Sequence, residues 1–543
     1  MLAEEVKQFL HGEVLSDTNT LKHYSRDASL FEITPEAVVF PKNADDIKHL
    51  VRFAQQRRKG KKISLTARAA GTDMSGGPLN NSLILDVTKH LNYIGPIRNN
   101  AITVEPGAFY RDFEKATLKK GLLLPPYPAS RELCALGGMI ANNAGGEKSL
   151  RYGKVIDYVT KLNVILSDGN EYTFKPLTTT QLNKKLKQRD FEGQIYRKTH
   201  HLLNKHYTLV QQARPDVSKN SSGYNLWDVW DKKTFDLTKL FVGSQGTLGI
   251  ITKANIKLVK TKPHAGMVVI FCNDMESVTN IISTVLPMQP SSFESFDDYS
   301  LKLALKFFPG FLSLMGAANI FTLAVKFLPE FLLVLRGGLP KLTLLIEFEE
   351  DTAAAARRKV DTLRRILTSF PVRTKGMYTR QASQKYWLIR RESFNILRNK
   401  LRNKQSAPFI DDFIINPLDM NTFMPQLTRI LQKYNLTYTI IGHIGNGNFH
   451  IIPLMVLGDE HERQIIPQIS EEVYKLILRY NGSITAEHND GLIRSPYLQK
   501  MYGKRVYALF KDIKNIFDPH NIFNPGKKVF CNLHYSLEHI KRS

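Results

Sequence analysis

A chain of 543 residues is too long for one hydrophobic core, so two or three domains are expected. With 43% hydrophobic and 23% charged residues it is neither disordered nor fibrous. Cys134, Cys272 and Cys531 are its three cysteines; far apart and without a CxxC pair, they argue against a disulfide scaffold, a zinc ribbon or a cysteine-ligated iron–sulfur cluster on this chain.

The net charge of +25 attracts polyanions, either nucleic acid or an anionic membrane surface. The basic residues are dispersed, however, with only short clusters such as "QQRRKGKK" (55–62) and "RNKLRNK" (398–404). No helix-turn-helix, zinc-finger or RNP pattern accompanies them, so no nucleic-acid partner is expected. A solvated basic face accounts for the charge equally well. The opening "MLAEEVKQFLHGEVLSD" carries acids at once and no uncharged core, unlike a secretion signal. A cytoplasmic, reduced setting is the expectation.

In chain order, "AVVFP" (37–41) reads as a strand and "NADDIKHLVRFAQQRRKG" (43–60) as a helix opened by an Asn/Asp cap. "SLILDV" (82–87) and "AITVEPG" (101–107) read as strands, and "YRDFEKATLKKG" (110–121) as a helix closed by glycine. "KLNVILSDGNEYTF" (161–174) reads as two strands joined through Asp168-Gly169, a hairpin signal. Residues 176–240 are polar and helical in tendency, and "FVGSQGTLGIITKANIKLV" (241–259) returns to strands. A boundary falls at "KTKPHA" (260–265), after which strands ("MVVIFC", "TLLIEFEE") alternate with helices ("TAAAARRKVDTLRRIL").

Within this second part, residues 299–345 form an apolar, helical insert, and 307–325 carries no charge over 19 residues. A transmembrane span is conceivable by length, but Pro309-Gly310 and Gly316 interrupt it. Two readings stay open: a buried helical pair, or an exposed patch dipping into a bilayer beside Lys302, Lys306, Lys326 and Arg336.

Two glycine-rich stretches carry chemistry. "ARAAGTDMSGGPL" (67–79) and "LGGMIANNAGGEKSLRYG" (136–153) place glycines beside Thr, Ser and Asn, which lets backbone N–H groups wrap a phosphate. Neither is a Walker loop or a Rossmann fingerprint. "GHIGNGNFHIIP" (442–453) sets His443 and His450 seven apart, either as metal ligands or as polar residues of a turn. "ITAEHNDG" (484–491) supplies a carboxylate, Glu487, at the end of an apolar strand, with His488 beside it and Asn489-Asp490-Gly491 as turn chemistry.

Taken together, "RAAGTDMSGG", "GGMIANNAGG…RYG…DYV…LNVILSDG" and "GSQGTLGIIT" resemble the FAD domain of the vanillyl-alcohol oxidase and p-cresol methylhydroxylase flavoproteins. The nearest resemblance is to the FAD-linked D-2-hydroxyacid dehydrogenases, which comprise D-lactate dehydrogenases and the flavin subunit of glycolate oxidase. It runs from about residue 20 to "IFDPHNIFNPGK" (516–527). It implies an α+β chain: a two-part FAD-binding domain of the p-cresol methylhydroxylase type (1–259, completed by 490–543), and an α+β substrate cap (260–489) with an antiparallel sheet and the metal site.

By the same resemblance, Arg68, Ala69, Ala70, Gly71, Thr72, Ser75, Gly76 and Gly77 enclose the FAD pyrophosphate. Gly137, Gly138, Asn142, Asn143, Ala144, Gly145 and Gly146 line the diphosphate and flavin edge, with Tyr152 and Gly153 beside them. Gly246, Thr247 and Ile250 lie on the adenine and ribose side. With no histidine in the first two loops, FAD is expected to be held non-covalently. Gln245 stands where family members commonly carry glutamate, and the alanines of "ARAAG" where glycine is common.

His443, His450 and Glu487 match the family's metal ligands, for a divalent ion with Zn²⁺ the first choice, and His488 its base. Position 489 is usually glycine; Asn tolerates positive φ better than most residues. "YWLIRRESF" (386–394) matches the family's substrate arginine at Arg390, with Arg391 the alternative, or else both are surface charges on a basic helix. Lys219, Asn220 and Tyr224 of "KNSSGYNLW" match a loop near the flavin. The resemblance implies oxidation of a small D-2-hydroxy acid, D-lactate or glycolate first, to the 2-oxo acid. Electrons would pass to a quinone or an iron–sulfur partner subunit, with peripheral contact at the inner face of a membrane. A flavoenzyme acting on an alditol, phenol or ether lipid, and a basic membrane-associated protein with a degenerate flavin fold, are the alternatives.

Overall fold

The structure, a computed structural model, describes residues 2–57, 62–298, 338–400 and 404–542. The apolar stretch 307–325 lies outside them, as does the insert up to residue 337. Of the expected helical insert only 338–345 is described, and there Leu342 opens a strand, because the run Leu342–Glu350 is zipped between two antiparallel neighbours. No helix among the described residues is long and apolar enough to cross a membrane.

The chain divides into two compact units, one of residues 1–146, 153–261 and 483–543, the other of residues 147–152 and 262–482. The first unit holds two main sheets. One has four strands in the order Glu13–Leu15, Ala37–Phe40, Leu83–Asp86, Leu65–Arg68, parallel except at Glu13–Leu15. Strand Ala37–Phe40 is buried along its whole length, as expected for a strand covered on both faces. Helix Ala44–Gln56 packs Ile47, Leu50, Val51 and Ala54 against this sheet, and Asn43 caps it by accepting from the Asp45 and Asp46 N–H groups. Ile522 and Phe523 join the same core, so the C-terminal motif is part of this unit.

The second sheet of this unit is antiparallel, ordered Ile94–Arg98, Ala101–Val104, Ile250–Lys257, Val159–Ile165, Glu171–Phe174. Its last pair is the hairpin read at Asp168-Gly169, where Gly169 takes φ +77°. Residues 241–249 are not a strand as expected. Gln245, Gly246 and Gly249 all take positive φ there, so the strand begins only at Ile250.

In the second unit one antiparallel sheet runs Arg373–Met377, His264–Cys272, Leu342–Glu350, Ser292–Asp297, Thr437–His443, Asn448–Met455, Gln405–Ser406, with Phe413–Ile414 also on Asn448–Met455. Helices Ala353–Ile366, Arg380–Lys400, Met420–Lys433 and Glu460–Arg479 belong to this unit. His443 and His450 lie on adjacent strands joined by the tight turn Ile444–Gly447, where Gly447 takes φ +76°.

The second unit ends at Gly482 rather than at 489, so Glu487 and His488 belong to the first unit and not to the cap. Nor is 484–487 an apolar strand. Its backbone is bound by loop 219–222 instead of a sheet ladder: Ser221 N–H donates to Thr485 O and Ser221 Oγ to Ala486 O at 2.9 Å, and Ser483 Oγ donates to Asn220 Oδ1 at 2.6 Å.

Candidate active site

In the first unit the glycine loops are held from behind by side chains. Asp73 turns inward, its Oδ1 accepting from Ser75 N, Ser75 Oγ and Gly77 N and its Oδ2 from Asn142 Nδ2 at 2.8 Å. Gln245, at φ +52°, reaches Ser75 Oγ at 3.1 Å and Asn142 Oδ1 at 3.3 Å through Nε2, and accepts from Gly491 N at 2.8 Å. Asn524 Nδ2 donates to Gly77 O at 2.9 Å and Gln245 O at 2.7 Å. One hub therefore fixes the segments at 73–77, 142, 245 and 491 together.

Several residues assigned to the cofactor also make bonds within the protein. Arg68 donates to the carbonyls of Tyr24 and Arg26 at 3.1 and 2.7 Å, which draws its guanidinium toward the segment ahead of the loop. Asn143 accepts from Ile156 N at 3.0 Å, and Thr247 Oγ1 donates to Ser244 O while accepting from Tyr224 OH at 2.7 Å. Ile250 lies in the hydrophobic core, and Ala69 packs against that core from its edge. Gly137 and Gly146 are glycines for want of room, since a Cβ would stand 2.7 Å from Pro106 O and 2.0 Å from Tyr127 O. Gly138 and Gly246 differ: a Cβ would meet only Ala69 Cβ, at 3.5 Å, in the first case and nothing within 4 Å in the second. These two have room beside their backbone, as a loop that approaches a phosphate needs. Tyr152 falls in the second unit and Gly153, at φ +71°, in the first.

Loop 219–224 and segment 483–491 meet in the first unit around buried lysines. Lys219 Nζ donates to Glu487 Oε2 at 2.9 Å, with both side chains almost fully enclosed. Glu487 and His488 offer ligand atoms within 4.8 Å of one another. Lys528 Nζ donates to Asp490 Oδ2 at 2.7 Å and to the carbonyls of Ser221 and Gly223. Burial lowers the pKa of Lys528, and the Asp490 carboxylate opposes that shift. Asn220 is occupied with Tyr502 OH and Ser222, and Tyr224 with Thr247. Asn489 takes φ +69° as its turn chemistry required, and its Nδ2 donates to the carbonyls of Asn142 and Gly243.

In the second unit both histidines point Nδ1 at a buried carboxylate: His443 at Glu294 Oε1, 2.7 Å, and His450 at Asp411 Oδ1, 3.1 Å. Their rings stand edge to face with centroids 5.3 Å apart. Asp412 and His450 offer ligand atoms within 4.8 Å of one another, and Asn448 Nδ2 donates to Asp412 Oδ1. An imidazole whose Nδ1 faces a carboxylate can ligate a metal through Nε2; among the described residues His450 is grouped with other possible ligands, and His443 is not. Arg390 is buried and ion-paired with Glu294, and its Nε has no hydrogen-bond partner among the described residues. Arg391 instead grips both oxygens of Glu147, at 2.7 and 2.8 Å. Neither arginine is the surface charge that a basic helix would display.

The sequence reading missed Glu294, Asp411, Asp412 and the buried lysines Lys154 and Lys528. "APFIDDFI" carried a signal, an acid pair inside an apolar run, whereas Glu294 sits in a plain strand. Lys154 and Lys528 are too far apart in sequence to form any motif.

A mixed parallel sheet, an antiparallel sheet and glycine loops on one unit, with a large antiparallel sheet on the other, define a two-domain flavin-oxidase fold. Two families match the chain: FAD binding domain over residues 35–175, and FAD linked oxidases, C-terminal domain, over residues 261–528. The chain belongs to the FAD-linked oxidases. It is 28% identical over 93% of its length to a D-2-hydroxyglutarate dehydrogenase of Pantoea ananatis, and spans 49% of that protein. The first curated relatives it matches are thus about twice its length. It is 26% identical to glycolate oxidase subunit GlcD of Bacillus subtilis, over 97% of each chain, and 24% identical to a D-lactate dehydrogenase of Archaeoglobus fulgidus, over 93% of this chain and 96% of that one. A 4-ethylphenol oxidase from Gulosibacter chungangensis shares the fold with a TM-score of 0.69 at 15% identity, covering 98% of this chain and 97% of that one.

Proposed function

We propose that the protein oxidises a small D-2-hydroxy acid to the 2-oxo acid, using non-covalent FAD and a divalent metal, with Zn²⁺ the first choice. D-lactate and glycolate remain the first candidates, and the names of the relatives add D-2-hydroxyglutarate. The observation that carries the reading is the pair His443 and His450, each with Nδ1 on a buried carboxylate. An alditol, phenol or ether-lipid oxidation calls for no such pair.

Bound FAD supplies the acceptor for the hydride from the substrate Cα, and the metal supplies Lewis acidity toward the substrate hydroxyl and carboxylate. His443, His450 and Glu487 would hold the metal. His488 takes the hydroxyl proton, a task suited to an imidazole near neutral pH. Arg390 offers its remaining donors to the substrate carboxylate, a planar fork matched to a planar anion. Arg391 stays with Glu147, so it drops behind Arg390 as the anchor. Lys219 holds the Glu487 carboxylate until metal arrives. The loops at 68–77 and 137–146 would hold the FAD pyrophosphate through backbone N–H groups, with Gly246 and Thr247 on the adenine and ribose side. The proposal includes reoxidation by a quinone or an iron–sulfur partner and peripheral contact with an anionic bilayer, the last favoured by the +25 charge.

Purified protein is expected to be yellow and to bleach anaerobically with D-lactate, glycolate or D-2-hydroxyglutarate, but not with the L-enantiomers. Bleaching by an alditol or a phenol, and by no hydroxy acid, contradicts the proposal.

A further inference from the structure

We propose that Glu294 is a positioning residue that sets the metal ligand His443 and the substrate anchor Arg390 as one unit. The inference rests on the function proposed above and extends it to a residue that no motif marks.

Glu294 sits on strand Ser292–Asp297, flanked by Leu345 on one neighbouring strand, and its side chain is 1% exposed. Enclosing a carboxylate there costs several kcal/mol unless cations and donors surround it. Two do. Oε1 meets His443 Nδ1 at 2.7 Å, and the carboxylate is ion-paired with Arg390, itself 5% exposed. Arg390 Nη2 also lies 3.4 Å from His443 Nδ1, so the three groups form one closed cluster.

The geometry assigns each group a state. An ionised carboxylate only accepts, so the Glu294 contact places a hydrogen on His443 Nδ1 and makes Nε2 the nitrogen through which this ring would ligate. That is the form in which imidazole ligates a metal, and an outer carboxylate raises its basicity. Arg390 keeps its plane fixed by Glu294 while Nε has no partner among the described residues, so donors remain for an incoming carboxylate. His450 repeats half of this arrangement with Asp411 at 3.1 Å. Glu294 alone of the two carboxylates is also paired with the proposed substrate arginine. One side chain thereby registers metal and substrate carboxylate against each other, as coordination of a 2-hydroxy acid through both of its oxygens requires.

The test is E294Q in the full chain. Zn²⁺ affinity, read by competition with a chromophoric chelator, is expected to fall about 10- to 100-fold. KM for the hydroxy acid rises with it, while flavin content and the far-UV spectrum stay those of the wild type. A folded E294Q that binds Zn²⁺ within about twofold of wild type overturns the inference. Wild-type protein that binds no Zn²⁺ overturns the metal reading itself, and this is seen without any variant. Should E294Q fail to fold, ¹⁵N-histidine spectra of metal-free wild type decide, with His443 assigned from H443Q. A proton on Nδ1 and none on Nε2 supports the inference; the reverse tautomer overturns it.

Discussion

Replacing Gln245 by alanine probes the hub behind the glycine loops. Its Nε2 reaches Ser75 Oγ at 3.1 Å and Asn142 Oδ1 at 3.3 Å, and its Oε1 accepts from the buried Gly491 N–H at 2.8 Å. Each hydrogen bond contributes about 1 kcal/mol net, and a buried N–H left without an acceptor costs about 1–3 kcal/mol. The backbone adds nothing to the difference, because glutamine and alanine are equally strained at φ +52°. The loss is therefore about 3–5 kcal/mol, which in a unit of this size lowers the thermal midpoint by about 5–8 °C. FAD affinity, measured by fluorescence quenching on flavin-stripped protein, should fall as well, since the segments at 73–77, 142 and 491 lose their common tie. Q245E is the informative partner. Its carboxylate still accepts from Gly491 but turns an anion on Asn142 Oδ1 and on Asp73, whose Oδ2 lies 3.4 Å from the present amide. It should be more damaging at pH 8 than at pH 5. A Q245A protein that melts within about 1 °C of wild type and binds FAD equally well refutes the reasoning.

Two further predictions concern buried charge. Burial, and after it the Asp73 carboxylate, pushes Asp27 up to about 7. A raised carboxyl holds its proton more tightly when folded, so its contribution is intact below about pH 4 and is lost as pH rises through 7. The shift from 3.8 sets a ceiling of about 4 kcal/mol at 1.36 kcal/mol per unit, and partial exposure of Asp27 reduces this to about 1–2 kcal/mol. D27N should therefore flatten the decline in stability between pH 5 and 8, as followed by urea unfolding; a slope identical to wild type counts against it. K219M removes one member of a buried pair and should destabilise chelator-treated protein by about 3–5 kcal/mol. Saturating Zn²⁺ should restore much of this, because the ion replaces the lost charge at Glu487. An equal loss with and without Zn²⁺ would show that Glu487 is no ligand.

Local signals carried the strands and caps. Asn43 opens its helix as its side chain dictates, Asp168-Gly169 closes its hairpin, and Asn489 takes the positive φ that glycine would otherwise supply. Where the reading failed, a distant partner had overridden local pattern. "ITAEH" alternates like a strand, yet loop 219–222 captures its carbonyls and draws Glu487 into the first unit. "GSQGTLG" reads as the start of a strand, yet four positive φ values make it a turn that delivers Gln245 to Ser75 and Gly491. The histidine spacing exposed the candidate ligands, whereas the carboxylates behind them come from strands and loops 39 to 149 residues away, a separation no motif spans.

The central claim is a divalent ion held by His443, His450 and Glu487 as part of hydroxy-acid oxidation. The most direct measurement is anaerobic flavin bleaching by the best D-2-hydroxy acid, before and after exhaustive chelation, with metal content determined alongside. The account predicts that chelated protein keeps its yellow colour, fails to bleach, and recovers when Zn²⁺ or another divalent ion is returned. It predicts no recovery in H443A, H450A or E487Q. Bleaching that proceeds at the wild-type rate with no metal bound would contradict it.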